Sequence, residues 1–389
     1  MSGKAVCIYS PEFLRYRFSD THPFNPLRLE LTLDLAREAG VLKPEELLPP
    51  RSPAPEEDLA LVHDRSYLEA VKRAGHTGRV DGEATLFGLG TDDNPIFPYM
   101  HEAAALIVGG TWTAAELVAT GQCQHAFNPA GGLHHAHRAR AAGFCIYNDA
   151  AVAIARLQRD YGLRAVYLDL DAHHGDGVQE AFYDDPGVLT ISFHETGRYL
   201  FPGTGEVEER GRNAGYGYAF NVPLEAFTED DSWLECFTAV VPPLVRDFAP
   251  DIIFSQHGCD AHRFDDLSHL CATTRLYQET ARLIHALAHE VAGGRWVALG
   301  GGGYDIWRVV PRAWTLVWAE LAERPLPEQI PATWRARWQP RSPFPLPEYF
   351  LDPPDAFPPV PRRAEIAEKN RLTVRRLLGD FYWPLSGQA

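Results

Sequence analysis

Positive charge is scarce in this chain. Lysine and arginine together number 36 against 52 aspartates and glutamates, for a formal net charge of -16. Lysine is confined to Lys4, Lys43, Lys72 and Lys369, so arginine carries almost all the positive charge. A polyanion gains nothing from such a surface, so no nucleic-acid partner is expected. Cysteine is sparse and scattered. Cys7, Cys123, Cys145, Cys236, Cys259 and Cys271 form no Cys-x-x-Cys pair. That spacing excludes a thiolate zinc site and a disulfide framework, and a reducing cytoplasm is the expected setting. No apolar run is long enough to span a bilayer. The first residues lack a charged stretch followed by a long apolar one, so neither export nor a membrane partner is expected.

What is present is a chain of 389 residues with 45% hydrophobic residues, enough for one large α/β domain or two smaller ones. Strand-like runs fall at residues 5–9, 125–128, 165–171, 188–194, 252–257 and 296–300. Amphipathic helical segments lie between them, at 26–39, 101–120, 148–161, 230–248, 275–292 and 306–323. Strands alternating with helices imply a parallel sheet covered on both faces. In such sheets ligands bind at the carboxyl ends of the strands. Beyond Glu323 the composition changes, with many prolines together with Trp334, Trp338, Phe344, Tyr349 and Phe350. Residues 1–323 therefore read as one catalytic domain. Residues 324–389 read as a proline-rich extension packed on it, without regular structure until a short helix near 364–378.

The most informative stretch is residues 169–176, Asp-Leu-Asp-Ala-His-His-Gly-Asp, after the apolar run Ala165-Val166-Tyr167-Leu168. If the strand continues, Asp169, Asp171 and His173 face one side. Two carboxylates and an imidazole are costly to bury unless a cation sits among them. These ligand types suit zinc or ferrous iron. A third ligand should come from another strand end, where Asp260 is best placed and Asp265 and Asp266 lie further into the loop.

His134-His135 follows Gly131-Gly132-Leu133, and histidine is the commonest general acid or base near neutral pH. Asp169 and Asp176 are available to orient the two rings. Ligation of a metal by one of the pair remains open on spacing alone. Gly300-Gly301-Gly302-Gly303-Tyr304 lacks the Gly-x-Gly-x-x-Gly spacing and any Lys-Ser/Thr, so it is a poor nucleotide loop. It permits close backbone approach, and Tyr304 is placed to donate to an oxyanion. These residues describe metal-assisted hydrolysis of a carbonyl substrate, with a phosphatase still open.

The motifs Gly131-Gly132-Leu133-His134-His135-Ala136, Gly143-Phe144-Cys145-Ile146-Tyr147-Asn148-Asp149, Asp169-Leu170-Asp171-Ala172-His173-His174-Gly175-Asp176-Gly177 and Gly300-Gly301-Gly302-Gly303-Tyr304 resemble those of the zinc-dependent histone deacetylase superfamily. His22-Pro23-Phe24-Asn25-Pro26-Leu27-Arg28 and Phe201-Pro202-Gly203-Thr204-Gly205 also fit, in the same order. Within the superfamily, Gly258-Cys259-Asp260-Ala261-His262 and Asp266-Leu267-Ser268-His269-Leu270 look most like the bacterial acetoin-utilisation deacetylases.

The resemblance implies an arginase/deacetylase fold, three αβα layers around a mainly parallel sheet of about eight strands. It implies that Asp171, His173 and Asp260 bind Zn2+ or Fe2+. His135 would be the principal general base and acid, supported by Asp176. His134, paired with Asp169, would position water and stabilise charge, and Tyr304 would stabilise the oxyanion. Gly143, Phe144, Phe201 and Gly302 would bind the acyl-lysine in a narrow tunnel, and Asp92 (or Asp93) would hold the substrate backbone at its rim. Arg28 would lie on the route of released acetate. A K+ site would comprise Asp169, Asp171, His173, Ser192 and Phe193, partly through backbone carbonyls.

The implied activity is hydrolysis of Nε-acetyl-lysine on proteins, with an acyl-CoA synthetase as the candidate partner. Acetylpolyamine or other small-molecule deacetylation is one alternative. Non-catalytic binding of acetyl-lysine is another, opposed by the retention of every catalytic residue type.

Overall fold

The strand sequences explain where the strands lie. AVYLD, VLTISFHE, IIFSQ and WVAL are buried at every residue. Even VLTISFHE, in which Thr190, Ser192 and His194 alternate with apolar residues, keeps both faces buried, which suits strands of a parallel sheet covered on both faces. In the computed structural model, which describes residues 5–80 and 82–380, they belong to one eight-stranded sheet. Its strands are β1 (Ala5–Ile8), β2 (Leu47–Leu48), β3 (His125–Asn128), β4 (Ala165–Asp169), β5 (Val188–Glu195), β6 (Ala219–Leu224), β7 (Ile252–Gln256) and β8 (Trp296–Leu299). The order is β2-β1-β3-β8-β7-β4-β5-β6, and all pairs are parallel. The chain therefore leaves a gap between β3 and β4 that β7 and β8 fill much later.

Two strands escaped the sequence reading. β2 is a two-residue element with no periodic signal. β6 contains Pro223, which argues against a strand, yet β6 is at the sheet edge, where a missing N–H is tolerated. β4 also ends earlier than residue 171. Beyond Asp169 the backbone N–H groups find side-chain acceptors. Asp171 N donates to Asp169 Oδ1 at 3.2 Å and Ala172 N to Asp260 Oδ1 at 2.8 Å. These bonds replace the ladder and turn the chain out of the sheet.

Helices cover the sheet on both sides. Leu27–Glu38 packs on Val310–Leu321, which packs on Thr274–Val291, while Met100–Ala119 pairs with Asp149–Tyr161. Asn148 caps Asp149–Tyr161 by accepting from Ala151 N at 3.0 Å. Val310–Leu321 starts at Val310 rather than residue 306, because Pro311 occupies its first turn, where a missing N–H costs nothing.

The proline-rich region is more regular than its composition suggests. Pro331 and Pro340 bracket a proline-free stretch that forms the helix Ala332–Trp338. Trp334 and Trp338 join Leu31, Leu35, Ile306, Leu316, Leu346 and Phe350 in a second apolar cluster. The last helix, Arg363–Asp380, is 18 residues rather than short. Its Asn370 is fully buried, donates to Thr228 Oγ1 and Ser232 Oγ, and accepts from Glu225 N. Residues 381–389 of the extension lie outside the described residues.

Candidate active site

Four loops converge because their strands are consecutive neighbours. β3, β8, β7 and β4 stand side by side, and at their carboxyl ends lie His134-His135, Gly300 to Tyr304, Asp260, and Asp171 with His173.

Ligand atoms of Asp171, His173 and Asp260 lie within 4.8 Å of one another, and all three residues are buried. His173 Nδ1 is 3.0 Å from both Asp171 Oδ1 and Asp260 Oδ2. Burial works against a charged His173, but the two carboxylates outweigh it and hold the ring well above the usual imidazole range. Burial and the neighbouring Asp171 push Asp260 up to about 6. Two buried carboxylates thus compete for one cationic partner. The backbone fits around them only as glycine. A Cβ on Gly258 would stand 2.2 Å from Asp171 Oδ2, and one on Gly302 would stand 2.2 Å from Asp260 Oδ2. A borderline divalent ion matches this donor set and its excess negative charge. Asp169 is not a member of the cluster, because the turn after β4 separates it from Asp171.

Instead Asp169 serves His134. His134 Nδ1 donates to Asp169 Oδ2 at 2.8 Å, and Tyr167 Oη donates to the same oxygen at 2.9 Å. His135 Nδ1 donates to Asp176 Oδ1 at 2.7 Å. In both rings the Nδ1–H is spoken for, which leaves Nε2 for chemistry. The two neighbours differ in charge preference. Burial opposes the His134 cation, but Asp169 and Asp171 raise the ring to about 9. Burial and the adjacent His134 lower His135 to about 4, against the pull of Asp176. A neutral base beside a cationic partner is the arrangement that divides acid from base roles.

Aromatic walls stand over these groups. Phe201 packs edge-on against His135 at 5.0 Å between centroids and is exposed at its outer side. Phe144 packs against Tyr304 at 5.7 Å. Its backbone has φ 69°, a left-handed conformation that costs a bulky residue about 1–3 kcal/mol. Tyr16 offsets this by accepting from Ile146 N and donating to Phe144 O at 2.7 Å. Gly143, also left-handed, lies flat on the His135 ring, where a Cβ would meet Cδ2 at 2.3 Å.

Tyr304 is half-buried, and its phenol is held well above its usual range by burial and by Asp260. Arg28 lies beneath it, fully buried, donating to Gly303 O at 3.0 Å and packed on Phe24 and Trp314. A small internal cavity borders Arg28, Phe24, Tyr16 and Ala130. Asp92 and Asp93 are both exposed in the loop before Met100. Only Asp93 is tied in, through its carbonyl, to His22 Nε2 at 3.3 Å, and the His22 ring packs on Phe144. Ser192 pairs with Asp169 in the sheet and bonds His194 Nδ1 at 2.8 Å, and Phe193 is buried between Trp233 and Phe237.

Several supporting residues had no signal of their own in the sequence. Gln256 Nε2 donates to Asp171 Oδ2 at 2.7 Å. Asp149, buried, accepts from Gly132 N, Leu133 N and Thr111 Oγ1, and so shapes the turn before the histidines. Asp265 lies outside the cluster of Asp171, His173 and Asp260 and accepts from Tyr304 N at 2.7 Å. Asp266 is exposed.

The chain matches the model of the histone deacetylase domain over residues 22–321. It is 53% identical over 374 residues to the acetoin utilization protein AcuC of Bacillus subtilis, covering 96% of both chains. It is 45% identical over 371 residues to the protein of the same name from Staphylococcus aureus, covering 95% of each. Among solved structures it is similar to an HDAC homolog complexed with SAHA, with a TM-score of 0.84, 32% identity, and coverage of 95% of this chain and 100% of the other. The HDAC homolog from Aquifex aeolicus gives a TM-score of 0.83 at 32% identity, covering 95% of this chain and 100% of the other.

Proposed function

The chain belongs to the histone deacetylase family and is a hydrolytic deacetylase, and we propose that its substrate is Nε-acetyl-lysine on proteins. The observation that carries this reading is the triad Asp171, His173 and Asp260 beside two His–Asp pairs and a half-buried tyrosine.

Asp171, His173 and Asp260 would hold zinc, with ferrous iron the alternative. Bound there, the ion would polarise an acyl carbonyl and acidify water. His135 takes a proton from the attacking water at Nε2 and passes it to the departing lysine amine, while Asp176 keeps its Nδ1 protonated and its ring oriented. His134, made cationic by Asp169, stabilises the developing negative charge. Tyr304 donates its hydroxyl to the oxyanion. Phe144 and Phe201 pack the lysine methylenes, with Gly143 and Gly302 leaving room between them. Asp92 is the rim residue in this reading, and Arg28 attracts the released acetate. A K+ ion beside the triad is part of the same reading, held by Asp169, Asp171, His173, Ser192 and Phe193.

The names of the relatives support a role in acetoin utilization; acetate metabolism and an acetylated acyl-CoA synthetase as the partner are part of the same reading. The six free cysteines support action in the cytoplasm. Among the described residues no helix is long and apolar enough to cross a membrane.

The test is hydrolysis of a fluorogenic acetyl-lysine peptide by zinc-loaded protein, beside acetylated polyamines at equal concentration. Turnover of the peptide in preference to the polyamines is expected. Cleavage of the polyamines alone would replace the protein substrate with a small molecule, and tight binding without turnover would replace the enzyme with a reader.

A further inference from the structure

A second histidine cluster lies at the amino end of the strands, away from the active site. His125 is the first residue of β3, whereas the His134-His135 loop follows the last. The strand alone separates the two ends by roughly 10 Å. His285 and His289 are one turn apart on the helix Thr274–Val291 and so share a face. Ring nitrogens of the three histidines lie within 4.8 Å of one another. The ring centroids are 4.7, 4.9 and 5.2 Å apart, and all three pairs meet edge to face.

Two rings are already oriented for ligation. His125 Nδ1 donates to the backbone carbonyl of Leu321 at 3.1 Å. A carbonyl only accepts, so in the neutral ring the lone pair is on Nε2. His285 Nδ1 donates to Glu320 Oε1 at 2.7 Å, with the same consequence. Its Nε2 is buried and makes no hydrogen bond. A carboxylate or carbonyl behind a histidine is the usual outer partner of a metal ligand, since it sets the tautomer and raises basicity. Glu323 Oε1 stands 3.9 Å from the same Nε2, within reach as a fourth donor. His289 is the exposed member; zinc–nitrogen bonds of about 2.1 Å imply an N···N spacing of about 3.4 Å, so the three rings would close slightly on a bound ion.

We propose that His125, His285 and His289 form a second metal site, for a borderline first-row divalent ion of the zinc class. Three imidazoles with a carboxylate at hand match that class and exclude calcium and magnesium, which take oxygen ligands. The ion would join the last turn of one helix to the start of a central strand. Through Leu321, Glu320 and Glu323 it would also join them to the end of the helix Val310–Leu321. It takes no part in the hydrolysis.

The experiment loads the full chain with Zn2+, dialyses it against metal-free buffer and measures zinc per chain. The wild type, Asp260→Ala, His289→Ala and the double variant are compared, with His76→Ala as a surface control. Two equivalents in the wild type, one in each single variant and none in the double are expected. His289→Ala should keep its deacetylase turnover. Added zinc should raise the melting temperature of Asp260→Ala and leave the double variant unmoved. One equivalent in the wild type, lost with Asp260→Ala and kept with His289→Ala, would overturn the second site and leave the active site standing. The reverse pattern would support the second site and sink the catalytic metal. Zinc retained by no variant would remove both.

Discussion

Gln256 donates from Nε2 to Asp171 Oδ2 at 2.7 Å, across the step from β7 to the neighbouring β4. Its Oε1 accepts from Gly258 N at 2.7 Å, two residues before Asp260. One amide therefore sets the direction of two of the three clustered carboxylates and imidazoles. Truncation by Gln256→Ala should weaken zinc affinity about 10- to 100-fold, the usual cost of losing an outer partner. Competition against a calibrated chelator measures this, and unchanged affinity would show that the bonds from Gly302 N and His173 N suffice to hold Asp171.

Tyr304 and His135 act on different atoms in the proposed reaction. Tyr304→Phe removes one oxyanion donor and should lower kcat by about 10²–10³. His135→Ala removes the base and should lower it by about 10²–10⁴. Neither supplies a ligand atom to the triad, so zinc content should stay at the wild-type value in both. A variant that lost zinc along with activity would place that residue in metal retention instead.

Stability should fall with acid through His63. Its Nδ1 donates to His137 O at 2.9 Å and its Nε2 accepts from Asn148 N at 3.0 Å, so the folded state requires the neutral ring. Burial lowers it from 6.5 to about 4. Between those values the unfolded chain binds the proton and the folded chain does not. The contribution is therefore complete above pH 6.5 and lost as pH falls towards 4, amounting to about 3 kcal/mol. Urea unfolding of wild type and His63→Gln from pH 7 to 4.5 tests it. The variant should be less stable at pH 7 and show a shallower loss, and parallel curves would remove His63 as the cause.

Asp352 joins the C-terminal extension to the catalytic body. It accepts from Arg312 Nη1 and His262 Nε2, each at 2.9 Å, and from Thr274 N at 2.9 Å. Arg312 is almost wholly buried. Asp352→Ala would leave that cation without its carboxylate and should destabilise the fold by about 3–5 kcal/mol. The midpoint of urea unfolding reads this directly, and a loss under 1 kcal/mol would mean that the carbonyls of Tyr349 and Phe350 suffice for Arg312.

Much of the fold was legible in the chain. The short strand-like runs that became β3, β4, β5, β7 and β8 alternate with amphipathic helical segments, and that alternation implies a parallel sheet covered on both faces. Elements governed by their place in the sheet were not legible. β6 carries a proline that only an edge tolerates. Ala332–Trp338 is hidden by prolines on either side. The true end of β4 depends on carboxylates from Asp169 and Asp260 reaching backbone donors, which period-2 reasoning does not contain.

The residues that carry chemistry announced themselves by type and by proximity along the chain. His134-His135, Asp171-x-His173 and Tyr304 after four glycines are local patterns, and local patterns are written in order. The sequence by itself determined those donors and the alternation that makes a parallel sheet. Tertiary structure alone decided that β7 and β8 enter between β3 and β4. It also kept Asp169 out of the cluster, and set Gln256 and Asp149 behind the reacting groups. It further brought His125 against a helix that begins far along the chain. Several of these are meetings of residues distant along the chain, as Gln256 and Asp171 are at 85 positions, or choices between two nearby carboxylates. Strand order and close packing fix such relations in three dimensions, and no period in the sequence encodes them.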